Sequence, residues 1–151
     1  MNTLVVTDTS CLIALDRIGH LGLLPALFDV HAPPAVVAEF GRRPAWLHVH
    51  PVQDVKRVTE LLEVLDLGEA EAITLALALP GSELLIDEAR GRKVALRLGL
   101  HIVGTAGVLL EAKRRGLVPA VRPLLDALVH EHSFRLSDHL YEQTLRQAGE
   151  G

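Results

Sequence analysis

Short apolar segments with strand character alternate with longer segments of helical periodicity along this chain. The strand-like segments are residues 4–6, 30–32, 84–86 and 102–103. Apolar residues recur every three or four positions over 54–65, which predicts an amphipathic helix. Residues 68–79 are apolar almost all round, which predicts a buried helix. Strands that alternate with helices form a mainly parallel sheet covered on both faces. The sequence therefore predicts a three-layer α/β fold with a mainly parallel central sheet flanked by helices.

The remaining segments complete a single predicted domain over residues 1–151. Ser10 is the expected cap of a helix that starts at Cys11. Further helices are predicted at 21–28, 34–40, 88–98, 105–115, 120–132 and 137–147, with a short strand at 48–52. A chain of 151 residues suits one domain. The last four residues, 148–151, are expected to form a frayed tail.

The composition excludes several classes of protein. Hydrophobic residues make up 49% of the chain, which argues against disorder, and aromatic residues only 3%, which argues against a base-stacking surface. A net charge of −4 means that any contact with nucleic acid is local or carried by metal ions. The single cysteine rules out an internal disulfide and a cysteine-rich zinc site. No signal peptide is recognisable, and the longest apolar run, 21–28, is too short for a membrane span. The cytoplasm is the expected compartment, with no membrane association.

Five acidic residues are candidates for a shared site. Asp8 and Asp87 directly follow apolar strands, and sites in open α/β sheets form beyond those strand ends. Glu39 lies late in a short helix, while Glu69 and Glu71 lie at the start of the buried helix. Carboxylates that lie close together resist joint ionisation unless a cation joins them. Mg²⁺ and Mn²⁺ prefer carboxylate oxygens, so these acids suit such an ion.

Each acid also has an ordinary structural interpretation. Asp8 and Asp87 precede helices and would serve as N-caps. Glu69 and Glu71 would be first-turn acids favoured by the helix dipole. Glu39 would be a solvent-exposed charge. The combination of these positions, rather than any one of them, points to a metal site.

Four segments together resemble the PIN-domain family. They are residues 4–10 (LVVTDTS), 34–39 (PAVVAE), 68–76 (GEAEAITLA) and 84–88 (LLIDE). Residues 91–92, 99 and 104–107 are similar to a prokaryotic PIN subgroup related to VapC-type toxins. The resemblance covers about residues 3–118, and the predicted C-terminal helices at about 120–147 carry no diagnostic motif.

The resemblance implies an endoribonuclease that depends on Mg²⁺ or Mn²⁺. It also implies a homodimer and an antitoxin protein as partner. By position, the metal-binding catalytic acids would be Asp8, Glu39, Glu71 and Asp87. The third acid of the family is usually Asp, and here Glu69 competes with Glu71 for that place. Glu88, directly after Asp87, is a further possible ligand. These departures leave open a catalytically weak or inactive PIN-like module, or an α/β ligand-binding module.

Basic residues close to the acids are candidates for holding RNA phosphates. They are Arg42, Arg43, Arg90, Arg92 and Lys93. The alternative for the last three is a solvated helix face.

Three other functions compete with this hypothesis. Residues 104–107 join a strand to a helix, as in phosphate-binding modules, although the full dinucleotide motif is absent. Asp8 would be the nucleophile of a haloacid-dehalogenase-like phosphotransferase, but position 10 is Ser rather than Asp. His48 with His50, and His130 with His132, suggest a metal site. Helical residues two apart face different ways, which argues against that site.

The segment 11–28 carries more large apolar side chains than one amphipathic face needs. They are Leu12, Ile13, Leu15, Leu21, Leu23, Leu24, Leu27 and Phe28. The excess predicts a dimer or antitoxin surface, and the alternative is that all of them pack in the core.

Overall fold

A five-stranded sheet lies at the centre of the computed structural model, which describes residues 2–151. The strands are β1 (Thr3–Thr7), β2 (Phe28–Ala32), β3 (His48–Val49), β4 (Glu83–Leu85) and β5 (His101–Val103). Their order across the sheet is β3-β2-β1-β4-β5. Every neighbouring pair is parallel, which confirms the predicted parallel α/β fold.

Helices connect the strands and flank the sheet. They are α1 (Thr9–Arg17), α2 (Leu23–Leu27), α3 (Pro34–Phe40), α4 (Val55–Leu61), α5 (Leu67–Ala78), α6 (Ala89–Arg97), α7 (Thr105–Arg114), α8 (Arg122–Asp126) and α9 (Asp138–Gln147). A π-helical segment, Ala127–Glu131, continues α8. None of the helices within residues 2–151 is long and apolar enough to cross a membrane.

The core is built on the neighbouring strands β1 and β4 and on α5. Val5 and Val6 of β1 and Leu84 and Leu85 of β4 are completely buried, as expected of parallel strands covered on both faces. Helix α5 packs against both of these strands and against α3 and α4. Its burial nearly all round agrees with its uniformly apolar sequence.

Three predicted helix boundaries are wrong, and the simplest case is the helix predicted over 54–65, which ends at Leu61. Helix α1 begins at Thr9 and is capped by Asp8, whose carboxylate accepts a hydrogen bond from the Cys11 N–H, so Ser10 is not the cap. The helix predicted over 21–28 covers only Leu23–Leu27 in the structure, and Phe28 already belongs to β2. A fully apolar stretch looks the same in a helix and in a buried strand, which explains the error at Phe28.

The predicted frayed tail is ordered instead. The Glu150 carboxylate accepts hydrogen bonds from the backbone N–H groups of Val121 (2.8 Å) and Arg122 (2.9 Å), at the start of α8. Lys113 donates to the same carboxylate at 2.9 Å. The hydrogen bond from Val121 is the largest influence lowering the pKa of Glu150 to about 2. A charge-assisted cap therefore fixes the C-terminus to the domain.

Most of the apolar side chains in the segment 11–28 pack in the core of this one chain. The buried ones are Leu12, Leu15, Leu23, Leu24, Leu27 and Phe28. Ile13 and Leu21 are only partly exposed. The apolar excess therefore gives no reason to expect a partner surface on this segment.

Candidate metal centre

Asp8 stands at the carboxyl end of β1 and is almost completely buried. Its residue is 2% exposed, and its backbone N–H donates to the Leu85 carbonyl of β4 at 3.0 Å. Burial is the main cause that raises its pKa well above the usual value, and the charges of Asp87 and Glu69 raise it further. One carboxylate oxygen caps α1 at 3.1 Å from the Cys11 nitrogen. Asp8 is therefore both an N-cap and a member of a cluster of acids.

Asp87 reaches the same edge of the sheet from β4, because Thr7 and Leu85 are partners in the register of β1 and β4. Thr105 holds its carboxylate by two hydrogen bonds, one from the backbone N–H (2.8 Å) and one from the hydroxyl (2.6 Å). Burial raises the pKa of Asp87, although these bonds oppose the shift. The first turn of α7 is thus occupied by a carboxylate, which disfavours phosphate binding there.

The N-cap interpretation of Asp87 is wrong. Glu88 caps α6 instead, accepting a hydrogen bond from the Gly91 N–H at 2.8 Å. That bond is the main cause of the lowered pKa of Glu88. Asp87 does not cap α6, and its carboxylate is directed to Thr105 at the start of α7 instead.

Glu69 belongs to the first turn of α5, in a capping box with Asp66. The Asp66 carboxylate accepts from the Glu69 N–H at 2.8 Å, and Glu69 Oε1 accepts from the Asp66 N–H at 3.3 Å. Burial, followed by the charge of Asp66, raises the pKa of Glu69 to about 7. The charges of both residues also act on Asp8. The start of α5 therefore adds Asp66 and Glu69 to the acids at the sheet edge where Asp8 and Asp87 lie.

Glu71 has a different environment. Its Oε1 accepts a hydrogen bond of 3.1 Å from the Ala35 N–H in the first turn of α3. The N-cap of that helix is Pro33, which offers no side-chain acceptor. Glu71 therefore supplies the missing cap of α3, in the way expected for a negative charge at a helix N-terminus.

Glu39 lies at the exposed rim of the same region. Thr9, next to Asp8, donates its hydroxyl to Glu39 Oε2 at 3.2 Å. Glu39 Oε1 also touches Gly68, where an added Cβ would lie only 2.2 Å from that oxygen. The glycine beside Glu69 thus makes room for Glu39 against α5.

The acids surround a common region without forming a closed site. Within residues 2–151, no three of their oxygens are grouped within 4.8 Å of one another. Mutual repulsion of carboxylates opposes closer approach, and a bound cation would remove that opposition.

The predicted RNA-binding residues differ in their surroundings. Arg42 pairs with Asp16 and lies over the Phe40 ring, 4.9 Å from its centre. Arg92 donates to the Ile86 carbonyl at 2.9 Å. Its charge opposes the rise in the pKa of Asp87 that burial causes. Arg43, Arg90 and Lys93 are exposed.

Two cavities meet at Asp87 and Glu88. One has a volume of about 820 Å³ and is lined by Arg92 and Lys93. The other, of about 340 Å³, is lined by Arg17. Arg135 borders both. Basic side chains therefore line both of the cavities that meet at Asp87 and Glu88.

Four contributors to this region were missed in the sequence: Asp66, Thr105, Arg135 and Arg17. Asp66 could have been found from its spacing to Glu69, which is that of a capping box. Thr105 was considered only as part of a phosphate-binding turn. Arg135 follows a stretch without periodicity, and nothing in the sequence connects it to the acids.

The structure is a parallel α/β domain with carboxylates gathered beyond the ends of the neighbouring strands β1 and β4. Residues 4–150 match the family model described as PIN domain, so the chain belongs to the PIN-domain family. Comparison with curated proteins gives no match.

Proposed function

We propose that this protein is a ribonuclease that hydrolyses RNA phosphodiester bonds with Mg²⁺ or Mn²⁺. The observation that carries the proposal is the environment of Asp8. It is buried beside Asp87 and Glu69, and all three carboxyl pKa values are raised. Groups of this kind mark functional sites more often than structural ones. The PIN-domain family supports the nuclease class.

The donor set suits a hard divalent ion, because every candidate ligand is a carboxylate oxygen. Asp8, Glu69 and Asp87 would hold the ion, with Glu39 at the open rim and Asp66 and Glu88 close by. When bound, such an ion neutralises charge on the phosphate and makes water a better nucleophile.

The protein's own contribution is to hold the carboxylates in place before any ion binds. One oxygen of Asp8 is fixed by the Cys11 N–H, and both oxygens of Asp87 are fixed by Thr105. Thr9 fixes one oxygen of Glu39. Groups fixed in this way lose less freedom on binding and need less rearrangement during the reaction.

We assign the third acid to Glu69 rather than to Glu71, the residue favoured by the family motif. Glu69 acts electrostatically on Asp8, whereas Glu71 caps α3. The two residues are about 200° apart around the helix, so they do not face the same site.

RNA would run past Asp87 and Glu88 along the two cavities. Arg92 and Lys93 on one side, and Arg17 and Arg135 on the other, would contact phosphates flanking the cleaved bond. Such contacts position RNA without reading its sequence. A homodimer and an antitoxin partner, which the family resemblance implies, belong to the same proposal.

The test is cleavage of a labelled single-stranded RNA by the purified chain in Mn²⁺, in Mg²⁺ and in EDTA. Cleavage is expected with either ion, and loss is expected in EDTA and in Asp8→Asn protein. Glu60→Gln, an exposed substitution in α4, is the matched control and should cleave normally. Cleavage that survives in EDTA or in Asp8→Asn protein contradicts the proposal. Ion binding without cleavage would favour an inactive PIN-like module.

A further inference from the structure

Three histidines and an aspartate gather on one face of the sheet edge formed by β2 and β3. His31 of β2 and His48 of β3 are partners in the strand register. Asp29 precedes His31 by two positions, and His50 follows His48 by two, so each pair points to one side of the sheet. The sequence argument against a site at His48 and His50 assumed a helix and fails here, because His48 lies in a strand.

The ligand atoms of three of these residues already converge. Asp29, His31 and His48 each offer one atom, and these atoms all lie within 4.8 Å of one another. His31 Nε2 is 3.1 Å from one Asp29 oxygen, and His48 Nε2 is 3.4 Å from the other. Ligands bound tetrahedrally at zinc distances of about 2.0–2.1 Å stand roughly 3.3 Å apart. The two nitrogen–oxygen separations, which involve different oxygens of Asp29, are of that size.

His31 has a buried ring nitrogen without a hydrogen-bond partner. The His31 side chain is only 12% exposed. Its Nε2 is the one buried side-chain polar atom within residues 2–151 that lacks a hydrogen bond, since its contact with Asp29 is not aligned as one. Buried nitrogens without partners are costly, and a metal ion would satisfy this one.

His50 orients the ring of His31. His31 Nδ1 and His50 Nε2 are 2.7 Å apart, which is a hydrogen bond between the two rings. The planes of the His31 and His50 rings are 13° apart and their centres 4.9 Å apart, which is the edge-to-edge geometry that this bond requires. Histidines that bind metal through one ring nitrogen usually donate the other N–H to a neighbour, which fixes the tautomer and the ring orientation. His50 occupies that neighbour's position.

We propose that Asp29, His31 and His48 bind a borderline divalent cation such as Zn²⁺, with His50 as the residue that orients His31. Two imidazole nitrogens and one carboxylate oxygen suit Zn²⁺, Co²⁺ or Ni²⁺ better than Mg²⁺. Three protein ligands leave one position for water or another ligand. The site shares no residue with the acids around Asp8 and does not depend on the proposed nuclease activity.

The location indicates what the ion would do. Strand β3 has only two residues and lies at the edge of the sheet. The site takes ligands from β2 and from β3, so a bound ion would join the edge strand to its neighbour. Because such an ion binds only the folded chain, it would stabilise this edge against local opening.

The experiment is a calorimetric titration of chelator-treated full-length protein with Zn²⁺, in excess Mg²⁺ to occupy hard carboxylate sites. One Zn²⁺ per chain is expected. His48→Ala, whose side chain is 61% exposed, should fold normally and bind at least about tenfold more weakly; His50→Ala should lose about 10–100-fold, the usual effect of removing an orienting partner. Co²⁺ bound to wild type should give the visible absorption of a four-coordinate ion.

The double variant His130→Ala/His132→Ala is the matched control, because it removes a histidine pair of the same spacing elsewhere in the chain. It should bind Zn²⁺ as wild type does, and so should Asp8→Asn. The proposal is overturned if wild type binds no Zn²⁺, or if His48→Ala binds it unchanged. Loss of Zn²⁺ binding in Asp8→Asn with retention in His48→Ala would place the ion among the carboxylates instead and would also overturn it.

Discussion

The Glu71 carboxylate of α5 accepts a hydrogen bond of 3.1 Å from the Ala35 N–H of α3. This contact joins two helices that each carry part of the proposed site, since Glu39 lies on α3 and Glu69 on α5. It gives Glu71 a structural role. The two glutamates of the same short motif therefore have different surroundings.

Glu69→Gln is expected to lower metal-dependent RNA cleavage on the order of 100-fold, the usual loss when one group that stabilises reacting charge is removed. Glu71→Gln should keep most of the cleavage, because Gln still offers an oxygen to the Ala35 N–H. It should lower the free energy of unfolding by about 1 kcal/mol, since a charged acceptor becomes neutral. Cleavage rates and urea unfolding of both variants check this.

The opposite ranking, with Glu71→Gln inactive and Glu69→Gln active, would restore the assignment suggested by the family motif. A loss in both variants with normal folding would mean that both carboxylates take part in the reaction.

The sequence allowed the sheet and the positions of Asp8 and Asp87 to be predicted, because each follows a fully apolar strand. Parallel neighbouring strands then bring such residues to one edge. It could not decide between Glu69 and Glu71. Helical periodicity shows that the two glutamates lie on different sides of α5. Because this helix is apolar almost all round, its sequence does not reveal which side faces the sheet edge.

The histidine site was missed for a related reason. A short strand was predicted at 48–52, but the argument against ligation by His48 and His50 treated the pair as helical. The partners Asp29 and His31 come from another strand, and only the pairing of β2 with β3 brings them together. Such long-range contacts leave no mark in local sequence.

Gly68→Ala is expected to reduce ion affinity without destabilising the fold. An added Cβ would lie 2.2 Å from Glu39 Oε1, so the exposed Glu39 side chain must move away. Replacing a helical Gly by Ala favours the helix by up to about 1 kcal/mol, which offsets the cost. Mn²⁺ titration and thermal unfolding measure the two effects. Gly22→Ala, where an added Cβ meets nothing within 4 Å, is the control and should change neither.

Glu150→Gln is expected to lower the free energy of unfolding by roughly 1 kcal/mol, the typical value of a helix cap. The wild-type contribution should depend on pH, because the folded-state pKa of about 2 lies below the unfolded value of about 4.3. Stability from this group is present above pH 4.3 and is lost as the pH falls towards 2. Urea unfolding at pH 7 and at low pH checks both points.

Glu142→Gln on the exposed face of α9 is the matched control for that experiment and should unfold like wild type. If Glu150→Gln were as stable as wild type at pH 7, the carboxylate would not be acting as the cap of α8.

Asp8→Asn is expected to raise the melting temperature of the metal-free protein at pH 7 while abolishing cleavage. Asn caps α1 about as well as Asp, so the cap is retained and only the buried charge is removed. The pKa of Asp8 is raised in the folded chain by burial and by its acidic neighbours, so ionising this group costs more in the folded state than in the unfolded state.

The raised pKa values of Asp8, Glu69 and Asp87 make the stability of the metal-free wild type depend on pH. For Glu69, the unfolded pKa is about 4.3 and the folded pKa about 7. Between these values the unfolded chain releases the proton that the folded chain keeps, so stability falls as the pH rises through this window. Asp8 and Asp87, whose pKa values are also raised, act in the same direction.

Mn²⁺ should reverse that loss, because a cation that binds only the folded protein stabilises it by about 2.7 kcal/mol at a hundredfold excess over its dissociation constant. The shift should be smaller in Asp8→Asn. Melting curves of both proteins at pH 5 and pH 7, in EDTA and in Mn²⁺, make the measurement. If Asp8→Asn is no more stable than wild type in EDTA and both gain equally from Mn²⁺, then Asp8 serves only as the cap of α1. The proposed metal centre would then have to be abandoned.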